Sequence, residues 1–385
     1  MGRNAIAYST RLMQPFDFQP RTRVIFGAGA LGRLGEVAAV LGRKRALVVS
    51  DPGIVGAGYP ERAVELLGAA GLKATVFSGV EENPTTRHVD EGVSFAREHE
   101  IDLIIGLGGG SSMDCAKGIN FLLTSGGRMA DYWGVGKATK PMLPLIAIPT
   151  TGGTGSEAQS FALIADEKTH QKMACGDPKA APAVAILDPE LTLKQPAAVT
   201  AVTGIDAISH AVETWVTKKR NPVSRLYSRE AWRLLSESFP VVLRDPSNVE
   251  ARGKMQLGAN YAGTAIENSM LGAAHSCANP LTANYGIVHG AAVGLMLPAV
   301  IRFNAAEVGD LYTELAGNSA GPAGLADRIE EMMQQAGLPT SLSAHGIPEE
   351  SLPRLAEQAS LEWTAQFNPR SVAAPELLEL YRAVY

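Results

Sequence analysis

The chain has 385 residues, with 34 Lys or Arg against 39 Asp or Glu, for a net charge of −5. That acidic balance excludes a nucleic-acid or anionic-membrane surface as its main business. With 46% hydrophobic and 19% charged residues it reads as a soluble globular protein, long enough for two cores rather than one. Three scattered cysteines, Cys115, Cys175 and Cys277, make no disulfide framework and predict a reducing, cytoplasmic setting. Residues 1–18 lack the apolar core of a signal peptide, and no uninterrupted apolar run reaches the length of a membrane span.

In chain order, strand patterns at 16–18 and 23–26 come first. Residues 27–32 (GAGALG) then lead into a helix to residue 40. A glycine-rich turn there can approach a phosphate, and serves equally well as a plain tight turn. Residues 46–50 (ALVVS) are a buried strand ending at Asp51, with Gly53 and Gly56 as turn residues beyond it. A helix at 61–70, a strand at 73–76, a helix capped by 82–86 (ENPTT) and a strand at 102–107 follow. Strand and helix alternate throughout, which predicts a parallel sheet covered on both faces. Ligands of such sheets lie beyond the carboxyl ends of the strands, where a carboxylate such as Asp51 can accept bonds from a ribose diol or simply cap a helix.

Residues 108–114 (GGGSSMD) leave the third of these strands and enter a helix, an arrangement that lets backbone N–H groups approach a pyrophosphate. A strand at 143–148 ends in 149–157 (PTTGGTGSE), a second loop rich in glycine and hydroxyls at the same end of the sheet. A hairpin at 161–166 and 172–175 and a strand at 183–187 complete the α/β part. From about residue 195 helical periodicity takes over, at 199–218, 223–242, 249–268, 292–303, 325–336, 350–358 and 375–384, with breaks at Pro222, Pro240, Pro246 and Pro280. The division predicted is an α/β domain over 1–194 and an all-helical domain over 195–385.

Two of the seven histidines, His275 and His289, fall in the window 271–290. Asp206 and His210 lie four apart in 204–213 (GIDAISHAVE), hence on one helix face, about 6 Å apart at ~1.5 Å rise per residue. His275 and His289 would be ~21 Å apart on one straight helix, so they share an ion only if the chain turns between them, with Pro280 and Gly286 as places to turn. One carboxylate and three imidazoles form a ligand set for a divalent metal, which acidifies an alcohol oxygen beside it and favours hydride loss from the adjacent carbon. Taken singly, a histidine on a helix is more often a packed or surface residue than a ligand, and an Asp four residues before a His occurs by chance. His88, His99, His170 and His345 stand in polar surroundings and read as surface residues.

The motifs GGGSSMDCAK (108–117), PTTGGTGSE (149–157), DPELT (188–192), TGIDAISHAVE (203–213), the block from His275 to His289 running into GLMLPAVIRFN (294–304), and NPR (368–370) resemble the iron-containing, or group III, metal-dependent alcohol dehydrogenases. The resemblance implies a Rossmann-like domain plus an all-helical one, of the dehydroquinate synthase-like type, with the dinucleotide in the cleft between them. It implies Asp206, His210, His275 and His289 as ligands of Fe(II) or Zn(II). Asp51 would read the ribose, favouring NAD over NADP. Gly109, Gly110 and Ser111 would hold the pyrophosphate. Thr150, Thr151 and Thr154 would line the nucleotide, and Lys172 would reach its ribose. Gly108, Asp114, Ser156 and Leu191 belong to the same implied cofactor site. A homodimer or larger homo-oligomer, acting on a small alcohol or aldehyde, is implied as well.

Two departures stand out. Many members read HxxxHP where this chain has His275-Ser-Cys-Ala-Asn279-Pro280. Asn279 can hold a hydrogen bond but not exchange a proton near neutral pH, so it enters the catalytic set without an acid–base role. Gly152 stands where alanine is common. The reading is NAD-dependent hydride transfer with a small alcohol or hydroxy acid. Its rivals are a metal-free maleylacetate reductase-like enzyme, a hydroxyacid–oxoacid transhydrogenase, and a non-catalytic nucleotide sensor.

Overall fold

The computed structural model describes residues 15–169, 171–317 and 320–385. Strand β1 (Arg23–Phe26) is followed by α1 (Leu34–Val40), β2 (Arg45–Val49), α2 (Pro52–Gly56), α3 (Tyr59–Ala69), β3 (Lys73–Phe77), α4 (Thr86–Glu98), β4 (Leu103–Gly108) and α5 (Gly110–Ser125). Then come β5 (Gly134–Val135), β6 (Leu145–Pro149), β7 (Phe161–Ala165), β8 (Lys172–Gly176) and β9 (Val184–Leu187). The remainder is helical: α6 (Ala197–Val216), α7 (Pro222–Arg244), α8 (Val249–Glu267), α9 (Ala273–Tyr285), α10 (His289–Ala316), α11 (Gly321–Gln335), α12 (Leu352–Leu361) and α13 (Ala374–Ala383).

Among the described residues, one sheet runs β1-β9-β6-β4-β2-β3 with every pairing parallel. A smaller sheet, β5-β8-β7, contains the antiparallel hairpin. Side chains of the central strands alternate between two cores. Leu47, Val49 and Ile104 join one cluster, while Ala46, Val48, Leu103 and Ile105 join the other. Burial on both faces is why these strands read as continuous apolar runs. From β2 the chain steps outward to β3, then crosses back to β4 on the other side of β2. That reversal opens a crevice at the carboxyl ends of β2 and β4. Asp51 follows β2 and the Gly108–Gly110 loop follows β4, so both stand at this crevice.

The helical half has its own core, built on α6 and α10. Helix α10 is long and apolar enough to cross a membrane by length and composition, but 72% of its most apolar window is buried within the protein, which marks it as a core helix. The joint between the halves is the loop after β6. Gln256 and Asn260 of α8 donate to the Pro149 carbonyl (2.9 Å) and Glu157 Oε1 (3.1 Å). Gly155, at φ +62, lies so close to α8 that a Cβ would come within 2.8 Å of the Ala259 carbonyl oxygen and the Gly263 Cα. A Cβ at Gly152 would stand 3.2 Å from the α8 backbone, a tight contact.

Several expectations are corrected. Residues 16–18 form no strand; Pro15 and Pro20 remove backbone donors around them, and β1 pairs with β9 instead. Gly53 and Gly56 lie in α2, whose N-cap is Asp51. Pro240 and Pro280 sit inside α7 and α9 without ending them. Helix α9 itself has no counterpart among the expected elements, and α10 extends well beyond 292–303 at both ends, with a kink at Val308. His88 is buried, accepting the Thr85 N–H on Nδ1 (2.9 Å) at the start of α4. His170 lies outside the described residues.

The close approach at the joint is testable. Gly155→Ala should destabilise the protein by about 1–3 kcal/mol, from overpacking and an unfavourable φ. Thermal or denaturant unfolding measures this, and a neutral result would mean α8 does not press on the loop.

Candidate metal centre and nucleotide cleft

Helix α6 is buried on all sides from Gly204 onward, yet carries Asp206, His210 and Glu213 on one face. His275 comes from the first turn of α9 and His289 opens α10. The turn between them is made at Gly286, in the left-handed conformation (φ +66). Gly290 lets α10 reach α6, since a Cβ there would meet the Val202 carbonyl oxygen at 2.0 Å and the Asp206 Cβ at 3.1 Å. The His210 and His275 rings stack at 5.0 Å, and those of His275 and His289 are 5.4 Å apart. Four residues spread over more than eighty positions thus meet.

Ligand atoms of Asp206, His210 and His275 all lie within 4.8 Å of one another. Asp206 Oδ1 stands 3.5 Å from His210 Nε2 and 3.7 Å from His275 Nε2. These gaps are long for hydrogen bonds, but close to the ~3.4 Å between two ligands each about 2.1 Å from a tetrahedral ion. Asp206 Oδ1 and His275 Nε2 are buried without a hydrogen-bond partner among the described residues. Buried polar atoms are rarely left so. The donor set therefore fits a divalent ion.

Burial works against the charge of Asp206, yet His210, His275 and His289 hold its carboxyl well below the ordinary range. Burial lowers His210 and pushes His289 down to about 3. Burial also opposes a charge on His275, but Glu213 and Asp206 carry it up to about 9.

This cluster lies in a cleft of about 880 Å³ that runs to the crevice of the sheet. Gly109, Gly110, Ser111, Thr150, Thr151, Thr154 and Asp51 line it, as do Lys172 and Leu191. The two glycine loops are tied together: Thr150 N–H donates to the Gly108 carbonyl (2.9 Å), and a Cβ on Gly110 would strike Thr154. The Thr151 hydroxyl is buried without a partner, so its bond is available to a ligand. Asp51 does two things, accepting from Ile54 N–H on Oδ1 and from the Ser112 hydroxyl on Oδ2, both at 3.1 Å.

Other residues named from the sequence touch the protein more than the cleft. Gly108 ends β4 and does not line the cleft. Asp114 and Ser156 reach its wall, but Ser156 Oγ donates to Asp114 Oδ1 (2.5 Å) and accepts from the buried Lys117 ammonium (2.8 Å). The donors of the 27–32 turn are spent: Gly29 and Leu31 N–H groups donate to the Asp188 carboxylate at 3.1 and 2.9 Å, which excludes a phosphate there. Asn279 is off the cleft wall and donates to Glu362 Oε2 at 2.7 Å. Burial raises the Glu362 carboxyl, against the pull of Asn279 and Lys172.

Glu213 has no part in the sequence reading. Its signal was present as the third residue after His210 on the same face. Glu362 gives no local signal, standing 83 residues from Asn279.

Comparison with known proteins agrees with this geometry. Residues 20–189 match the sequence profile of iron-containing alcohol dehydrogenase, and 200–385 that of the Fe-containing alcohol dehydrogenase family, C-terminal. The chain is 34% identical to the NAD-dependent methanol dehydrogenase of Bacillus methanolicus, over 95% of this chain and 98% of that one. It superposes on a crystal structure of 1,3-propanediol oxidoreductase with a TM-score of 0.92 at 33% identity, covering 97% and 100% of the two chains. Sulfoacetaldehyde reductase from Bifidobacterium kashiwanohense, solved in complex with NAD+, superposes at 0.88 with 29% identity and 96% and 99% coverage.

His275 is raised to about 9 in the metal-free protein, so below that pH it carries a proton on each ring nitrogen. A divalent ion must displace one of them. Loading Zn(II) at pH 7 should therefore release protons, and the release should fall as the pH rises through about 9. Calorimetric titration in buffers of different ionisation enthalpy reads this, and zero release at pH 7 would mean His275 is already neutral.

Proposed function

The chain belongs to the iron-containing alcohol dehydrogenase family, and on that premise we propose that it moves hydride between NAD(H) and a small alcohol–aldehyde or hydroxy acid–oxo acid pair. The observation that carries the reading is the meeting of Asp206, His210 and His275, with the His289 ring 5.4 Å from that of His275, in the same cleft as the two glycine loops. A divalent ion, Fe(II) or Zn(II), held by these four residues supplies Lewis acidity toward a substrate C–O group.

The chain's own residues do the binding and orienting. The α5 N-terminus presents the N–H groups of Gly110 and Ser111, unpaired within the helix, to the pyrophosphate. Thr150, Thr151 and Thr154 offer hydroxyls along the dinucleotide, and Leu191 gives it an apolar wall. Asp51 takes the adenosine ribose, with Glu81 and Glu82 close by on the cleft wall. A 2′-phosphate would face these carboxylates, so NAD is preferred to NADP. Lys172, whose charge is felt at His289, reaches the cofactor ribose from the cleft wall. Asp114 and Ser156 act at one remove, by holding Lys117 and the loop that bears the threonines. Because the Asn279 amide is committed to Glu362, the proton leaves through water or a ribose hydroxyl.

Three coarser features complete the proposal. The division between the two units falls at residues 194 and 195, just before α6. A homodimer or larger homo-oligomer forms; β1 is the last strand of its sheet and leaves Val24 and Phe26 exposed. Three free, buried cysteines suit a cytoplasmic location.

His275→Ala should lose metal and alcohol oxidation together, by more than the ~100-fold typical of outer-shell changes. Elemental analysis alongside NADH formation over an alcohol panel checks it. A metal-free variant at full rate would refute the metal reading and favour a maleylacetate reductase-like chemistry. Asp51→Ser keeps a capping oxygen and removes the charge. It should raise the NADP-to-NAD ratio of kcat/KM by at least ~10-fold, about 1.4 kcal/mol. An unchanged ratio would show that Asp51 serves only as a cap.

A further inference from the structure

Glu213 does not line the cleft, yet it is buried directly behind the metal cluster. Its Oε2 accepts from His275 Nδ1 at 2.5 Å, and its Oε1 from the Ala274 N–H at 2.8 Å. Ala274 is the second residue of α9, so that N–H has no partner inside the helix, and a carboxylate at a helix N-terminus is electrostatically favoured. The start of α9 is itself held. Asn368 Oδ1 accepts from the Ala273 N–H at 3.3 Å, and the Asn368 and Asn304 amides exchange bonds at 3.0 and 2.7 Å. Gly272 leaves room for this, because a Cβ there would stand 3.0 Å from Asn368 Oδ1 and 3.1 Å from Glu213 Oε1. The first residue of the NPR motif thus anchors the helix that delivers His275.

We infer that Glu213 is a positioning residue that holds the His275 proton on Nδ1 and leaves Nε2, beside Asp206, as the ligand atom of the loaded site, and thereby sets how tightly the site holds a divalent ion. This rests on the metal reading given above. A carboxylate accepts and cannot donate, so the Nδ1–H is the donor of the pair. Nε2 is then the ring nitrogen left to act as ligand, and it is the atom that faces Asp206 Oδ1 without a partner. Outer partners of this kind fix both ring orientation and tautomer. Two donors, Ala274 N–H and His275 Nδ1–H, converge on the side chain of residue 213, and it must offer two acceptors. A glutamine offers one oxygen. Whichever way its amide turns, an N–H faces another N–H, or His275 gives up its Nδ1 proton and takes it on Nε2 instead.

The test uses the full chain stripped of metal, with Zn(II) alone as the probe. Glu213→Gln should bind Zn(II) ~10–100-fold more weakly, while Glu213→Asp, which keeps two acceptors, should lose less. In the Zn(II)-loaded wild type, histidine-selective nitrogen NMR should find the His275 ring proton on Nδ1, far downfield. A purely structural role would lower the melting temperature of Glu213→Gln and leave its Zn(II) affinity within about twofold of wild type, which overturns the inference. A His275 ring proton found on Nε2 in the loaded wild type overturns it too, and decides the matter if Glu213→Gln does not fold. A wild type that binds no Zn(II) or Fe(II) sinks the metal reading itself, a different result from a wild type and Glu213→Gln that bind equally.

Discussion

Burying a carboxylate among apolar helices costs several kcal/mol unless partners replace the lost water. Asp206 is buried in this way, in the middle of a helix that is otherwise core. The surrounding structure is arranged around that constraint. Helix α6 brings the carboxylate and one imidazole, α9 a second and α10 a third, each from a helix that packs on another of them. The neighbouring imidazoles oppose that penalty and hold Asp206 below its ordinary range, His275 being the one of the three whose charge is favoured. What the protein does not provide is a bond for Asp206 Oδ1 or His275 Nε2. A divalent ion would supply those bonds; of the outer nitrogens, His275 Nδ1 is already satisfied, while His210 Nδ1 and His289 Nδ1 are buried without a partner among the described residues.

The same economy governs the joint between the two halves. The loop after β6 turns its threonines to the cleft, Gly152 and Gly155 to α8, and Gly153 to Thr203 of α6. Cleft lining and the packing of the two halves therefore share one loop. Asp188 plays a similar part at the far edge, where its carboxylate satisfies the 27–32 turn and caps the 3-10 turn that positions Leu191.

Legibility followed the range of the interaction. The central strands were plain because each is buried on both faces, so that every residue of a run such as 46–49 must be apolar. Asp206 and His210 were plain because a helix repeats every 3.6 residues. Helix α9 was not: its sequence is short side chains, amides and a proline, with no apolar stripe, because from Ala273 to Leu281 it is buried nearly all round, with α10 and α12 packed on it. Pro280 forfeits one backbone bond there and the packing absorbs it. His88 looked like a surface residue because its neighbours are polar, but its ring is folded back as a cap.

By itself the sequence determined which residues could serve: the ligand set, the two glycine loops, and an α/β half followed by a helical one. These rest on local periodicity and residue chemistry, which need no partner to be read. Tertiary structure alone decided which of those residues face one another. It turned the chain at Gly286 so that His275 and His289 share a site, spent the 27–32 donors on Asp188, and committed Asn279 to Glu362. It also set Glu213 behind His275. Each pairing joins segments far apart in the chain, and hydrogen-bond partners at that separation leave no mark on local pattern.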